Sequence, residues 1–428
     1  MRKPVLIVVL VLIAFALSSQ NSMNLRGRVV DEETGTPLGY SSVGIGGQPV
    51  GTVTNEDGFF DFYFSNEYSH DSLYVSVLGY RRFTIQIAEI SEPKNILIKL
   101  KIRPYVLDEV VITSSKLVGR DILMKAFEKV ESNYPTKPYL MKAFFREIYD
   151  ENDVTSFVLD ASVDIYDTRG YLPVKGGKMT EKVDVRNVRA SDVHFKSAIW
   201  RNHFLKGNYS YLANSIFWRS IKYRESWKKK LGAQKFEVDS LIYSDGRLFY
   251  RVSSPIVGET YDGMDTFFID AETFAIKRHE YVDYGRDGGI HNEWKFVDDP
   301  SYLYRNMHRR VVQEFENYGG KLYPKYVGAE FIAIVHNLKT GKDEATIKTG
   351  ALLVVSEVID SDKALPGASV ISYNESLIVN VKNYSSDFWK DYGDVKLFPL
   401  TKKQKDDLEN ESPLESQFQK SQQFKRAK

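Results

Sequence analysis

Asn55-Glu56-Asp57-Gly58-Phe59-Phe60-Asp61-Phe62-Tyr63-Phe64 decides the fold class of this chain. Asp57-Gly58 is the dipeptide of a tight hairpin turn. Phe60, Phe62 and Phe64 then recur every second residue and so share one face of a strand. The same spacing places Leu73, Val75 and Val77 together, and Ile96, Ile98 and Leu100 together. Upstream, Leu25 and Val29 face one way while Arg26 and Arg28 face the other. Turn signals at Asp31-Glu32-Glu33-Thr34-Gly35, Gly46-Gly47 and Gly79 separate these runs. Strands this closely spaced, with no helical pattern between them, predict a small β-sandwich over residues 23–101.

Downstream, residues 102–119 read as a linker. Pro104 breaks a continuing strand, and Leu107 to Thr113 is one short extended piece. Arg120 to Asn133 predicts an amphipathic helix with Ile122, Leu123, Ala126, Phe127 and Val130 on one stripe, ended by Tyr134-Pro135. Longer alternating segments follow. Tyr139–Tyr149 and Val154–Tyr166 flank a hairpin at Asp150-Glu151-Asn152-Asp153. Phe236–Ser244 and Arg247–Ser253 join at Asp245-Gly246; Asp265–Ile269 and Phe274–Tyr284 join near Asp270-Ala271-Glu272-Thr273. Glu293–Val297, His308–Tyr318, Leu322–Val335 and Thr346–Ile359 complete the run. This predicts an antiparallel curved sheet or half-barrel over 120–400, with a few helices on its concave face. Residues 190–230 stay ambiguous, with helical patterns at Ile199, Trp200, His203 and Phe204 and at Ile216, Phe217 and Ile221. Residues 401–428 are polar and read as a disordered tail.

Composition narrows the function classes. Lys and Arg number 58 against 57 Asp and Glu, so no net field draws nucleic acid. The absence of cysteine excludes disulfides, thiolate zinc sites, thiol nucleophiles and the lipid-attachment residue of a bacterial lipoprotein. Arg2 and Lys3 precede an apolar run of 13 residues, Val5 to Leu17, and a small polar exit from Ser18 to Ser22. The run is shorter than the roughly 20 residues of a spanning helix, so 1–22 reads as a secretory signal peptide. The alternative is an uncleaved anchor. The expected location is the periplasm or an association with the outer membrane.

Residues 25–113 resemble the carboxypeptidase-regulatory-like (CarboxypepD_reg-like) domain of Bacteroidetes envelope proteins. The resemblance rests on Gly27-Arg28-Val29-Val30-Asp31, Gly35-Thr36-Pro37-Leu38, Gly51 through Phe60, and Val75-Ser76-Val77-Leu78-Gly79-Tyr80. It implies a seven-stranded Greek-key sandwich of transthyretin/Ig-like type that performs no chemistry itself. Leu107 to Thr113 looks like the link into the plug of TonB-dependent transporters, yet no plug or long membrane barrel follows. Arg120 to Glu147 resembles uncharacterised exported proteins with the same first domain. The remainder resembles lipoprotein-carrier half-barrels through Phe267 to Ile276.

No catalytic set stands out. None of the seven histidines has a His-Glu-x-x-His spacing. His291 and Glu293 share a strand face, which reads as a surface pair. A calcium loop around Asn55 to Gly58 would need Asp and Glu where Val53 and Phe64 stand. Asp160 and Asp164 share a strand face, as paired acid and base residues of a glycoside hydrolase would. Lys228-Lys229-Lys230 beside Trp227 reads as a solvated helix end. The half-barrel interior is the binding candidate, with Trp200, Phe204, Phe217 and Trp218 lining an apolar pocket. The leading expectation is a non-enzymatic envelope protein that binds a lipid, lipoprotein or protein partner, peripheral to the outer membrane, with no cofactor and no nucleic acid. The alternatives are an envelope hydrolase acting on glycan or peptide, and a structural adhesion module.

Overall fold

In the computed structural model the chain is described at residues 22–102, 118–173, 181–206, 221–222, 224–232, 234–244, 246–285, 292–360, 370–371, 377, 384–392 and 398–420. All of the expected signal peptide but Ser22, and most of the expected linker, lie outside these residues. So do Phe217, Trp218 and His291, and positions 421–428.

Seven short strands form two small sheets. β1 (Ser22–Asp31), β4 (Phe59–Ser65) and β7 (Ile96–Leu100) are ordered β4-β1-β7; β2 (Ser42–Ile45), β3 (Gly51–Val53), β5 (Ser72–Ser76) and β6 (Phe83–Gln86) are ordered β3-β2-β5-β6. The predicted faces hold. Leu25, Val29, Phe60, Phe62, Leu73, Val75 and Ile98 are buried between the sheets, and Phe59 points outward under the Arg28 guanidinium. Gly58 is obligatory at the turn: its φ is +77°, and a Cβ there would stand 2.3 Å from the Val29 carbonyl. Asp31 fixes the neighbouring turn by accepting from the Glu33 and Thr34 amides.

The second unit is one large antiparallel sheet. Its strands are β8 (Tyr139–Glu151), β9 (Val154–Asp167), β10 (Glu181–Ala190), β11 (Glu237–Ser244), β12 (Arg247–Val257), β13 (Tyr261–Asp270), β14 (Ile276–Gly285), β15 (Asn292–Lys295), β16 (Tyr302–Tyr318), β17 (Lys321–Asn337), β18 (Lys342–Asp360) and β19 (Val370–Ile371). The path runs β11-β12-β13-β14-β16-β17-β18-β8-β9-β10-β19, with β15 beside β16, and it does not close. The meander was legible. β10 was not: a bulge between Val185 and Asn187 interrupts its alternation.

Both faces of this sheet are covered. On one lie α1 (Gly119–Glu128), α2 (Val130–Asn133), α3 (Ala198–Leu205) and α4 (Arg224–Lys230). The stripe predicted for 120–133 is buried there, with a break at Lys129 between α1 and α2. On the opposite face sits the sandwich. Val50 bridges Glu357, the Val358 amide donates to the Pro49 carbonyl at 3.0 Å, and Tyr40 packs 4.8 Å from Tyr326.

The expectation of a disordered tail fails over 401–420. After α5 (Ser386–Asp391), α6 (Lys402–Leu408) opens with a capping box between Thr401 and Gln404, and α7 (Leu414–Lys420) follows. Leu408, Leu414 and Phe418 bury against Val158. Three apolar residues in a polar stretch were enough because the sheet offered them a ready surface. A chain carrying Phe418→Ala should lose about 3 kcal/mol of local stability, the cost of emptying a buried phenylalanine site. The measurement is hydrogen exchange: amides of 414–420 and of β10 should exchange faster, and unchanged protection would show that α7 is not packed there.

Candidate functional site

The helix-covered face is where the sequence placed an apolar pocket. Trp200 is fully buried and stacks on Tyr304 at 5.5 Å. Phe204 is buried among Tyr149, Phe157 and Phe195 in edge-to-face contacts of 4.8–5.1 Å. Ser197 caps α3 by accepting from the Trp200 amide, and Glu151 accepts from the Lys196 and Ser197 amides. Trp227 of α4 sits edge-on to Phe267. Trp200 and Phe204 are therefore core residues rather than a lining. The described residues of these helices pack their apolar side chains against the sheet and one another.

The predicted carboxylate pair is spoken for. Arg146 meets Asp160 through two hydrogen bonds, at 2.5 and 2.9 Å, and Arg189 adds two more at 2.9 and 2.8 Å. Asp164 accepts from Arg186 at 2.6 Å. Burial alone would raise the Asp160 carboxyl, but Arg146 and Arg189 overcome it and hold it below the ordinary carboxylate range. The cluster is an anchor. Arg146 also donates to the Phe398 carbonyl, and the Arg189 guanidinium lies between the rings of Trp389 and Phe418 at 4.8 and 4.5 Å. Of the basic run, Lys228 is paired with Glu225. Among the described residues no group of three or more His, Asp or Glu is placed to hold a metal ion, and no helix is long and apolar enough to cross a membrane.

A cleft of about 530 Å³ opens instead on the sandwich side of the sheet. Three parts of the chain line it. The sandwich contributes Tyr40, Asn55, Glu56 and Asp57; the segment after 398 contributes Phe398, Pro399, Thr401 and Gln404. Four adjacent strands supply the floor: Arg310 and Val312 of β16, Gly328, Glu330 and Ile332 of β17, Lys348, Gly350 and Leu352 of β18, and Arg146, Ile148 and Asp150 of β8. Register sets their rows. Arg310, Glu330, Gly350 and Ile148 lie side by side, and Ile332, Lys348 and Asp150 form the next row. A Cβ added at Gly350 would meet nothing within 4 Å, so the floor has a hole there.

Most of the charges in the cleft are engaged. Glu330 pairs with His308 at 3.3 Å, and that hydrogen bond lowers its carboxyl despite partial burial. Lys348 pairs with Asp153, and Glu56 accepts from the Tyr40 hydroxyl at 2.8 Å. Burial against Tyr326 and Glu56 pushes the Tyr40 phenol well above its ordinary range. Tyr40 also holds a φ of +59°, a costly backbone for an aromatic residue that the packing around it maintains. Sequence reasoning missed this site. The available signal was Gly328 and Gly350, two glycines inside strongly alternating strands, which mark open or close-approach positions.

Residues 25–112 match the CarboxypepD_reg-like domain family. No curated protein matches the chain. A LolA superfamily protein from Nitrosomonas europaea is 14% identical with a TM-score of 0.21, over 58% of this chain and 95% of its own. A putative outer membrane lipoprotein-sorting protein domain from Vibrio parahaemolyticus is 9% identical with a TM-score of 0.23, over 57% of this chain and 94% of its own. At such scores neither likeness bears on ligand or activity.

Asp160→Asn tests the anchor. It leaves the buried Arg146 and the half-buried Arg189 short of a counter-charge, so stability at pH 7 should fall by about 3–5 kcal/mol. A carboxylate depressed in the fold stabilises above the unfolded-state value and loses that contribution as pH falls through the folded-state value. The difference between wild type and variant in urea unfolding should therefore be full at pH 7 and shrink below about pH 4. A difference that grows on acidification would contradict the ion-pair assignment.

Proposed function

We propose that the chain is a non-enzymatic binding protein of the cell envelope, and that it holds a polypeptide partner in the cleft between its sandwich and its large sheet. The sandwich is then an interaction module that completes the site. The observation that carries the reading is the three-part lining of the cleft, in which the loop at Tyr40 and Asn55 to Asp57 faces four strands, three of them more than 250 residues away in sequence. A cleft of that volume with interleaved charges and the apolar Ile148, Ile332 and Leu352 suits a peptide segment better than an acyl chain, which needs a dry apolar cavity. Asp160 and Asp164, the residues a hydrolase would use, are held by guanidiniums. Envelope placement rests on Arg2, Lys3 and the apolar run from Val5 to Leu17.

The test is selection of a heptapeptide display library on the full chain, with Gly350→Trp as the comparison. The indole enters open space without backbone strain, so the variant should unfold at the same urea concentration as wild type. Selected peptides should bind wild type and lose at least tenfold in affinity on Gly350→Trp. No enrichment, or equal binding to both proteins, would overturn the reading. Native mass spectrometry with added phospholipid covers the carrier alternative: retention of phospholipid by both proteins would favour the helix-covered face.

A further inference from the structure

The hole over Gly350 has a chemistry of its own. Its neighbours on the same face are Leu352 and Lys348 along β18, Ile148 and Glu330 directly across, and Asp150 and Ile332 on the diagonals. Apolar side chains thus flank a gap that carboxylates border on two sides. Asp150 Oδ1 is buried and has no hydrogen-bond partner, an arrangement folded proteins seldom leave without a purpose.

The charge balance has a sign. Around Asp150, the carboxylates of Asp150, Asp153 and Asp407 face the ammonium groups of Lys348 and Lys403, which leaves one negative charge. At the other end, Arg310 stands opposite Glu330, with Glu56 and the exposed Asp57 on the rim. Asp160 is shared by Arg146 and Arg189, so that cluster carries one positive charge, against the three negative charges of the Asp150 group, Glu56 and Asp57. The cleft is therefore net acidic, and its lining holds a buried carboxylate oxygen, Asp150 Oδ1, with no hydrogen-bond partner.

Resting on the binding function above, we infer that the cleft selects a basic peptide, and that one Lys or Arg side chain of the partner enters the hole over Gly350. Its methylene stem lies on Ile148, Ile332 and Leu352, and its cationic head reaches Asp150 and Glu330. Long basic side chains divide in this way between apolar surface and charge. A charged hydrogen bond to a buried carboxylate is stronger than a neutral one, so it also sets specificity.

The experiment extends the peptide selection. Peptides enriched on the full chain should share a Lys or Arg at one position. In a synthetic copy of an enriched peptide, norleucine at that position keeps the stem and removes the charge; it should weaken binding about tenfold. Asp150→Asn should weaken the parent peptide to a similar degree, and norleucine should then cost little further. Glu330→Gln, at an exposed site, gives a second reading that does not disturb the fold. Binding of the parent peptide should also weaken as salt rises. Enriched peptides that lack a basic residue, or that ignore Asp150→Asn while still losing affinity on Gly350→Trp, would overturn this inference and leave the cleft as the site. Peptides indifferent to Gly350→Trp would overturn both.

Discussion

A sheet has two faces, and along β8 and β9 this chain must cover both. Residues Ala143 to Glu147 are all buried, because alternate side chains enter different cores. Phe145 joins the helices, while Phe144 meets Phe398 at 6.1 Å on the sandwich side. Covering the second face takes a separate domain and a C-terminal segment, and both must be held in register with the strands beneath. The Arg146–Asp160–Arg189 cluster does this for the segment. Its desolvation cost is offset only with every partner in place, so it favours one arrangement of Phe398, Trp389 and Phe418 over others.

The cleft follows from this construction. The sandwich covers the sheet from one side and the 398–420 segment from the other, and neither reaches the strip around Gly350. The floor of the cleft is a hydrogen-bonded sheet bordered by two elements from distant parts of the chain, so a partner there would meet a preorganised surface. On the helix-covered face the described aromatic side chains pack on one another.

Much of the architecture could be read in advance, because period-two alternation reports burial on one face directly. The sandwich faces at Phe60, Leu73 and Ile98, the α1 stripe and most of the meander were legible on that ground. β8 and β9 were read to within two residues of their ends although both of their faces are buried, whereas the bulge in β10 hid that strand. The C-terminal helices were hidden by their polarity: Leu408, Leu414 and Phe418 gain a partner only when β9 presents Val158. The candidate site was illegible for a different reason. Trp200 and Phe204 signal burial, and burial serves a core as readily as a pocket. Asp150, Glu330 and Gly350 lie far apart in sequence and become neighbours only through the β17-β18-β8 register.

Methyl-resolved NMR of the full chain during titration with an enriched peptide decides whether the partner binds on the sandwich side of the sheet. The expected result is a saturable shift of the Ile148, Ile332 and Leu352 methyls with Ile122, Leu123 and Ile269 unmoved. Shifts confined to Ile122, Leu123 and Ile269, on the helix-covered face, would contradict it.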